Sequence, residues 1–351
     1  MFIRLSLPTQ TLIAELIGEA RYLESSRKLG MQGGSFSKKS VKGTYQYYFK
    51  YYAFSGKRRE CYIGSDSDST HLFIKKHKEG AKHFLEEKKR VRELTKMVIA
   101  GGVIVFDRST YSIIEALGNQ GVFRSGGVLI GTQAFIAICN LLAINPTGTG
   151  MKTHDIDIVK EKRITVAAGD TPISVVDTLT ALNMGFTPIP PFNHKEQPTS
   201  YRSKTGISID FMVPMTGKHK VGVVKIPTFG VHAQPLRYLD FLIEETIDAP
   251  VSSNSKTVLV VVPDPSRFAF HKLIVASKRP VIDTVKIAKD VAQAAVLFEF
   301  LLTERPDDLE ATFQSLKDRG KNWVKNFAKG LNKMHRKNPK IAKTINDKFL
   351  G

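Results

Sequence analysis

Asp155-Ile156-Asp157-Ile158 constrains this chain more than any other stretch of its sequence. Acid and apolar residues alternate there with period two, which predicts a strand. Successive strand side chains point to opposite faces, so both carboxylates leave one side while Ile156 and Ile158 enter the core. Two like charges held side by side are costly without a cation between them, and all-oxygen donors suit Mg²⁺ or Mn²⁺ rather than zinc. A third acid, Asp210, sits between Ile209 and Phe211 in the same apolar-acid-apolar manner. On an adjacent strand it would complete a cluster of three carboxylates.

Upstream, Val128-Leu129-Ile130 reads as a buried strand running into Gly131 and Thr132 at the start of a helix. The glycine permits close backbone approach. Thr132 at the cap, with the free N–H groups of the first turn, makes a phosphate-binding end. Together these parts meet the needs of nucleotidyl transfer: one end grips a triphosphate and the acids carry metal ions.

The 351 residues suggest two domains or three small ones, and 42% hydrophobic against 24% charged residues excludes a disordered or collagen-like chain. We expect an α+β protein. Residues 1–100 form a basic N-terminal region: a helix over 9–29, a three-stranded meander broken at Lys42-Gly43 and Ser55-Gly56, and a long charged helix over 69–97. Residues 101–265 mix strands (128–130, 155–158, 208–212, 221–226, 257–262) with helices (132–142, 174–182), and residues 266–351 are helical with a basic tail.

Lys and Arg number 52 against 33 Asp and Glu, a net charge of +19. Such an excess points to a polyanionic partner, nucleic acid being the commonest. Residues 317–351 alone hold eleven Lys or Arg and two acids, so positive charge concentrates at both ends of the chain. Two cysteines, Cys61 and Cys139, form neither a metal motif nor a disulfide framework. No stretch has the uncharged apolar length of a membrane span, and we expect a cytoplasmic protein.

The order apolar-Gly-Thr, helix, Asp-Ile-Asp-Ile, then a lone later Asp resembles the nucleotidyltransferase superfamily typified by DNA polymerase β and the antibiotic nucleotidyltransferases. The run from Gly126 to Phe135 with His154-Asp-Ile-Asp-Ile is most similar to a bacterial branch whose substrates are poorly defined. The resemblance covers residues 110–301, and departs from the common pattern in Thr132 for serine and in the long interval from Gly131 to Asp155. It implies a nucleotidyltransferase-type mixed sheet with flanking helices. It also implies that Asp155 and Asp157 are shared metal ligands, that Asp210 is both metal ligand and general base, and that Gly131 and Thr132 contact the triphosphate of an NTP. A basic residue from the later helices often meets that triphosphate in the superfamily, which singles out Lys272, with a solvated helix face as the alternative.

Weaker signals remain. The loop from Pro146 to Thr153 mimics a P-loop, but Met151 separates Gly150 from Lys152 and a strand follows where a helix is required. Lys152 reads as a solvated loop lysine, with a phosphate contact as the alternative. Tyr45, Tyr47, Phe49 and Tyr51 share one face of the meander, and Tyr48, Lys50 and Tyr52 the other; packing is the expected role, stacking on bases the alternative. Trp323 is expected to anchor the terminal helices. The acceptor hydroxyl is expected on RNA, such as a tRNA end. A small-molecule or protein acceptor, or an inactive nucleic-acid-binding member of the fold, are the competing readings.

Overall fold

The computed structural model describes residues 1–25, 34–41, 43–52, 58–148, 153–160, 173–193, 195–215, 217 and 222–351, without the side chains of Ser25, Tyr51, Tyr52 and Arg59. Lys152 and its neighbours Gly150 and Met151, the breaks at Lys42 and Ser55-Gly56, Lys57 and the start of the expected 221–226 strand lie outside the described residues.

At the centre is a mixed sheet in the order Val224–Ile226, Val231–Leu236, Ser208–Pro214, Asp155–Lys160, Gly127–Ile130. The three middle strands are parallel neighbours and the two outer ones run antiparallel to them. A short strand, Ser200–Arg202, lies antiparallel beside the first half of Ser208–Pro214. Leu129, Ile156, Ile158 and Ile209 are wholly buried, so the alternating acids are left on the opposite face. Two strands carrying proline, Val231–Leu236 and Thr246–Ser253, escape the sequence reading. Proline cannot donate to a ladder and argues against a strand; Pro250 is tolerated because its strand pairs on one side only, in a hairpin with Lys256–Pro263.

After residue 264 the chain is helical, with Pro265, Pro306 and Pro339 each opening a helix, where the missing N–H costs nothing. The helix Pro265–Lys278 packs beside Thr284–Glu304 and Lys321–His335 through rings: Phe270 lies 5.1 Å from Phe298 and 4.8 Å from Phe327. Trp323 sits edge-on to Tyr238 at 4.8 Å and against Phe241 at 5.7 Å, tying the last helices to the sheet domain. One hydrophobic core runs from Phe106 to Ile345.

The N-terminal layer has a smaller core of its own, where Ile13, Leu16 and Ile17 of the helix Leu7–Ser25 meet Val91, Leu94 and Val98 of the helix Asp68–Ala100. The meander is three antiparallel strands, Gly34–Val41, Thr44–Tyr52 and Arg58–Ser65. The α+β class, the mixed sheet with flanking helices, the basic meander and the helical C-terminal region all agree with the sequence reading. Among the described residues no helix is long and apolar enough to cross a membrane.

Candidate active site

Sheet register brings the three acids together. Asp157 lies beside Asp210 on the parallel neighbour and opposite Ile130 on the antiparallel one, while Asp155 lies beside Ser208. The Ser208 hydroxyl donates to Asp155 Oδ1 at 2.6 Å and so orients that carboxylate. All three acids line one cleft of about 390 Å³, together with Gly131, Thr132 and Lys272. Every site residue singled out in the sequence therefore borders the same space.

Gly131 is required where it stands. Its φ of +69° belongs to the left-handed region, and a Cβ there would run into the carboxylate of Asp157. The turn thus brings the start of the helix Gly131–Leu141 directly against the acid row. Thr132 differs in detail from the expectation. The helix cap is Ile130, which has no hydroxyl, and Thr132 falls in the first turn because the strand passes straight into the helix through Gly131. Its buried hydroxyl accepts a hydrogen bond from Gln293 Nε2 at 3.4 Å, across from the later helices.

Asp155 is exposed, whereas Asp157 and Asp210 are poorly hydrated and are repelled by their acidic neighbours. Burial pushes the Asp157 carboxyl up to about 7, and the charges of Asp210 and Asp155 add to it, against the pull of Lys272 and Lys289. Asp210 is likewise raised by burial and by Asp155, with the Ser200 hydroxyl and Arg202 opposing. They form a row along the wall: among the described residues no three acids, histidines or cysteines are gathered into a ready-made metal cage.

The facing wall is basic. Lys272, Arg279, Lys286 and Lys289 border the cleft. Lys272 is no solvated lysine: its side chain is 12% exposed, and Nζ donates to Asp290 Oδ1 at 2.9 Å, while Arg279 Nε donates to Asp290 Oδ2 at 2.6 Å. The two cations hold the buried Asp290 carboxyl below the usual range, despite the desolvation that opposes them. Arg267, one helical turn and a little more before Lys272, is structural: its buried guanidinium pairs with Glu244 and Glu245 and donates to the Phe241 carbonyl. His154 is exposed, and its carbonyl accepts from the Ser208 amide at 2.9 Å.

Sequence reasoning missed Lys286, Lys289, Asp290 and Gln293. Their spacing places them on one face of the helix Thr284–Glu304. That face was visible as a pattern, but nothing in the sequence says that it meets the acid row.

A family model described as "Nucleotidyltransferase" matches residues 108–318, more than half of the chain. The match encloses the three acids, the Gly131-Thr132 turn, Lys272 and Asp290, and leaves out the N-terminal layer and the last two helices. No curated protein and no solved structure matches significantly. With a cleft that sets an acid row and a helix start against a wall of anchored cations, the chain belongs to the nucleotidyltransferase family and is a transferase of phosphorus-containing groups.

Proposed function

We propose that the chain transfers the nucleoside monophosphate of an NTP to a hydroxyl of RNA, releasing pyrophosphate, with Asp155, Asp157 and Asp210 holding Mg²⁺ or Mn²⁺. The observation that carries this reading is the pairing of two walls across one cleft: three mutually repelling carboxylates on the sheet, and Lys272 with Lys289 on the helices. The all-oxygen donor set fits a hard divalent cation. Bound there, such ions would offset the carboxylate repulsion and stabilise the attacking and leaving oxygens of an in-line displacement.

The protein's own groups divide the remaining work. The first-turn N–H groups at Gly131 and Thr132 face the phosphates, and Lys272 and Lys289 take up negative charge on the leaving pyrophosphate. Asp210, whose carboxyl is raised toward neutrality, accepts the proton of the acceptor hydroxyl as its oxygen bonds to the α-phosphorus and the bond to the β-phosphate oxygen breaks. Ser208 keeps Asp155 aligned. The net charge of +19 favours a polyanionic acceptor such as RNA.

The test is incubation with each labelled NTP and Mg²⁺ or Mn²⁺, with total RNA, DNA, protein extract or small-molecule hydroxyls, comparing the intact protein with Asp157→Asn. Label on RNA, lost in the variant, is expected. Label on protein or a small molecule instead moves the acceptor, and label retained in the variant rejects the site.

A further inference from the structure

The meander has two faces, and the fold uses one. On the inner face Phe36 and Phe49 pack 5.2 and 5.1 Å from the His77 ring of the long helix, and Tyr47 lies 5.4 Å from His71. Those contacts account for Tyr47 and Phe49 as packing, whereas Tyr45 is 53% exposed and the side chain of Tyr51 lies outside the described residues. The outer face, which carries Lys39, Tyr48, Lys50, Arg58, Glu60 and Tyr62, has no buried position among the described residues.

Its chemistry is specific. Tyr48 and Tyr62 sit side by side across two strands, 5.5 Å between ring centroids and tilted by 66°, and Tyr62 is 53% exposed. The Tyr48 hydroxyl donates to Gln46 Oε1 at 2.8 Å, which fixes that ring. Lys39 Nζ lies 4.7 Å from the Tyr48 ring centre. Glu60, the single acid on this face among the described residues, is approached by both Lys39 and Lys50 at 2.6 and 3.9 Å. Three cations against one acid leave the face net positive around the exposed Tyr62 ring and the half-buried Tyr48 ring that Lys39 overlies.

Resting on the RNA-acceptor reading, we propose that this outer face is a stacking platform for a single-stranded segment of the acceptor RNA. Unpaired bases offer faces on which tyrosine rings stack, while Lys39, Lys50 and Arg58 meet the phosphates between them. A duplex hides those base faces and fits the platform poorly. The helix that packs on the inner face also carries Lys75, Lys76, Lys78 and Lys82 in its sequence, which adds positive charge to this end of the molecule.

The test measures binding of a fluorescent unpaired oligouridine RNA, and of an RNA duplex, by anisotropy at low and physiological salt. Tyr62→Ala is expected to weaken unpaired RNA by roughly 5- to 150-fold, since one stacked base is lost. Tyr62→Phe should stay close to wild type, and both variants should keep the wild-type salt slope because no charge is removed. Lys39→Gln should instead flatten that slope by about 0.7. A 4-thiouridine RNA should cross-link to the strands Thr44–Tyr52 or Arg58–Ser65 of the unaltered protein, a readout independent of any variant's folding. Unchanged affinity in Tyr62→Ala, cross-links confined to other segments, or equally tight duplex binding would each overturn the platform. The acceptor reading is judged apart, by label transfer to RNA: transfer without Tyr62 dependence rejects the platform alone, and Tyr62-dependent binding without transfer rejects the acceptor alone.

Discussion

The two walls of the cleft solve opposite electrostatic problems. On the sheet wall Asp155, Asp157 and Asp210 stand in a row; burial and the neighbouring acids make Asp157 and Asp210 harder to ionise. On the helix wall Lys272 and Arg279 share one buried carboxylate, Asp290, with both of its oxygens occupied. Lys272 and Arg279 are paired before any ligand arrives, while burial and Lys272 hold the neighbouring Lys289 below its usual value; the sheet wall is relieved by added positive charge. An enzyme that handles a metal-bound polyanion needs this asymmetry, because cations held in place cost no reorganisation when charge builds on the leaving group.

The sharpest break in the comparison is Asp157→Asn, expected to lower transfer by more than about a hundredfold, as the loss of a ligand should exceed the loss of a supporting group. Activity within a few-fold of wild type would take Asp157 out of the site. On the other wall, Asp290→Ala strips the partner from two partly buried cations and should cost about 3–5 kcal/mol of stability, read from urea unfolding. A change too small to measure would mean that the basic wall does not depend on Asp290. Gly131→Ala, between the walls, combines a left-handed backbone with a collision against Asp157; it should lose about 1–2 kcal/mol from the backbone conformation alone, and nucleotide binding with it.

The pH dependence separates the walls further. Burial pushes the folded Asp157 carboxyl up to about 7, against 3.8 for a free aspartate, so its protonated form favours the fold, and the stability it contributes is lost as pH rises between those values. Without divalent ions, Asp157→Asn should flatten this fall in melting temperature. His271, on the helix wall, has the opposite sign: burial and Lys272 hold it down to about 3, so its contribution is lost as pH falls from 6.5 toward that value. The smallest effect is Thr132→Val, a few-fold to tenfold loss of nucleotide affinity in calorimetry, since one hydrogen bond contributes about 0.5–1.5 kcal/mol net.

The sheet wall was legible because strand period two is written directly in Asp155-Ile156-Asp157-Ile158 and in Ile209-Asp210-Phe211. The position of Thr132 relative to the cap was harder, since it depends on how abruptly Gly131 turns. Asp290 was not legible. Its partners lie 18 and 11 residues upstream on another helix, and only the packing of the two helices brings them together. The meander illustrates the same division: alternation identified its two aromatic faces, but which one is spent on packing is decided by His71 and His77 of a different element.

The central claim is that a divalent cation joins the acid row to a nucleotide held from the other wall. Calorimetric titration of a non-hydrolysable NTP, with and without Mg²⁺ or Mn²⁺, into wild type and Asp157→Asn tests it most directly. The account predicts tight binding only when wild type and cation are both present, with the dependence on cation largely lost in the variant. Equal affinity with and without the cation in the wild-type protein would contradict it.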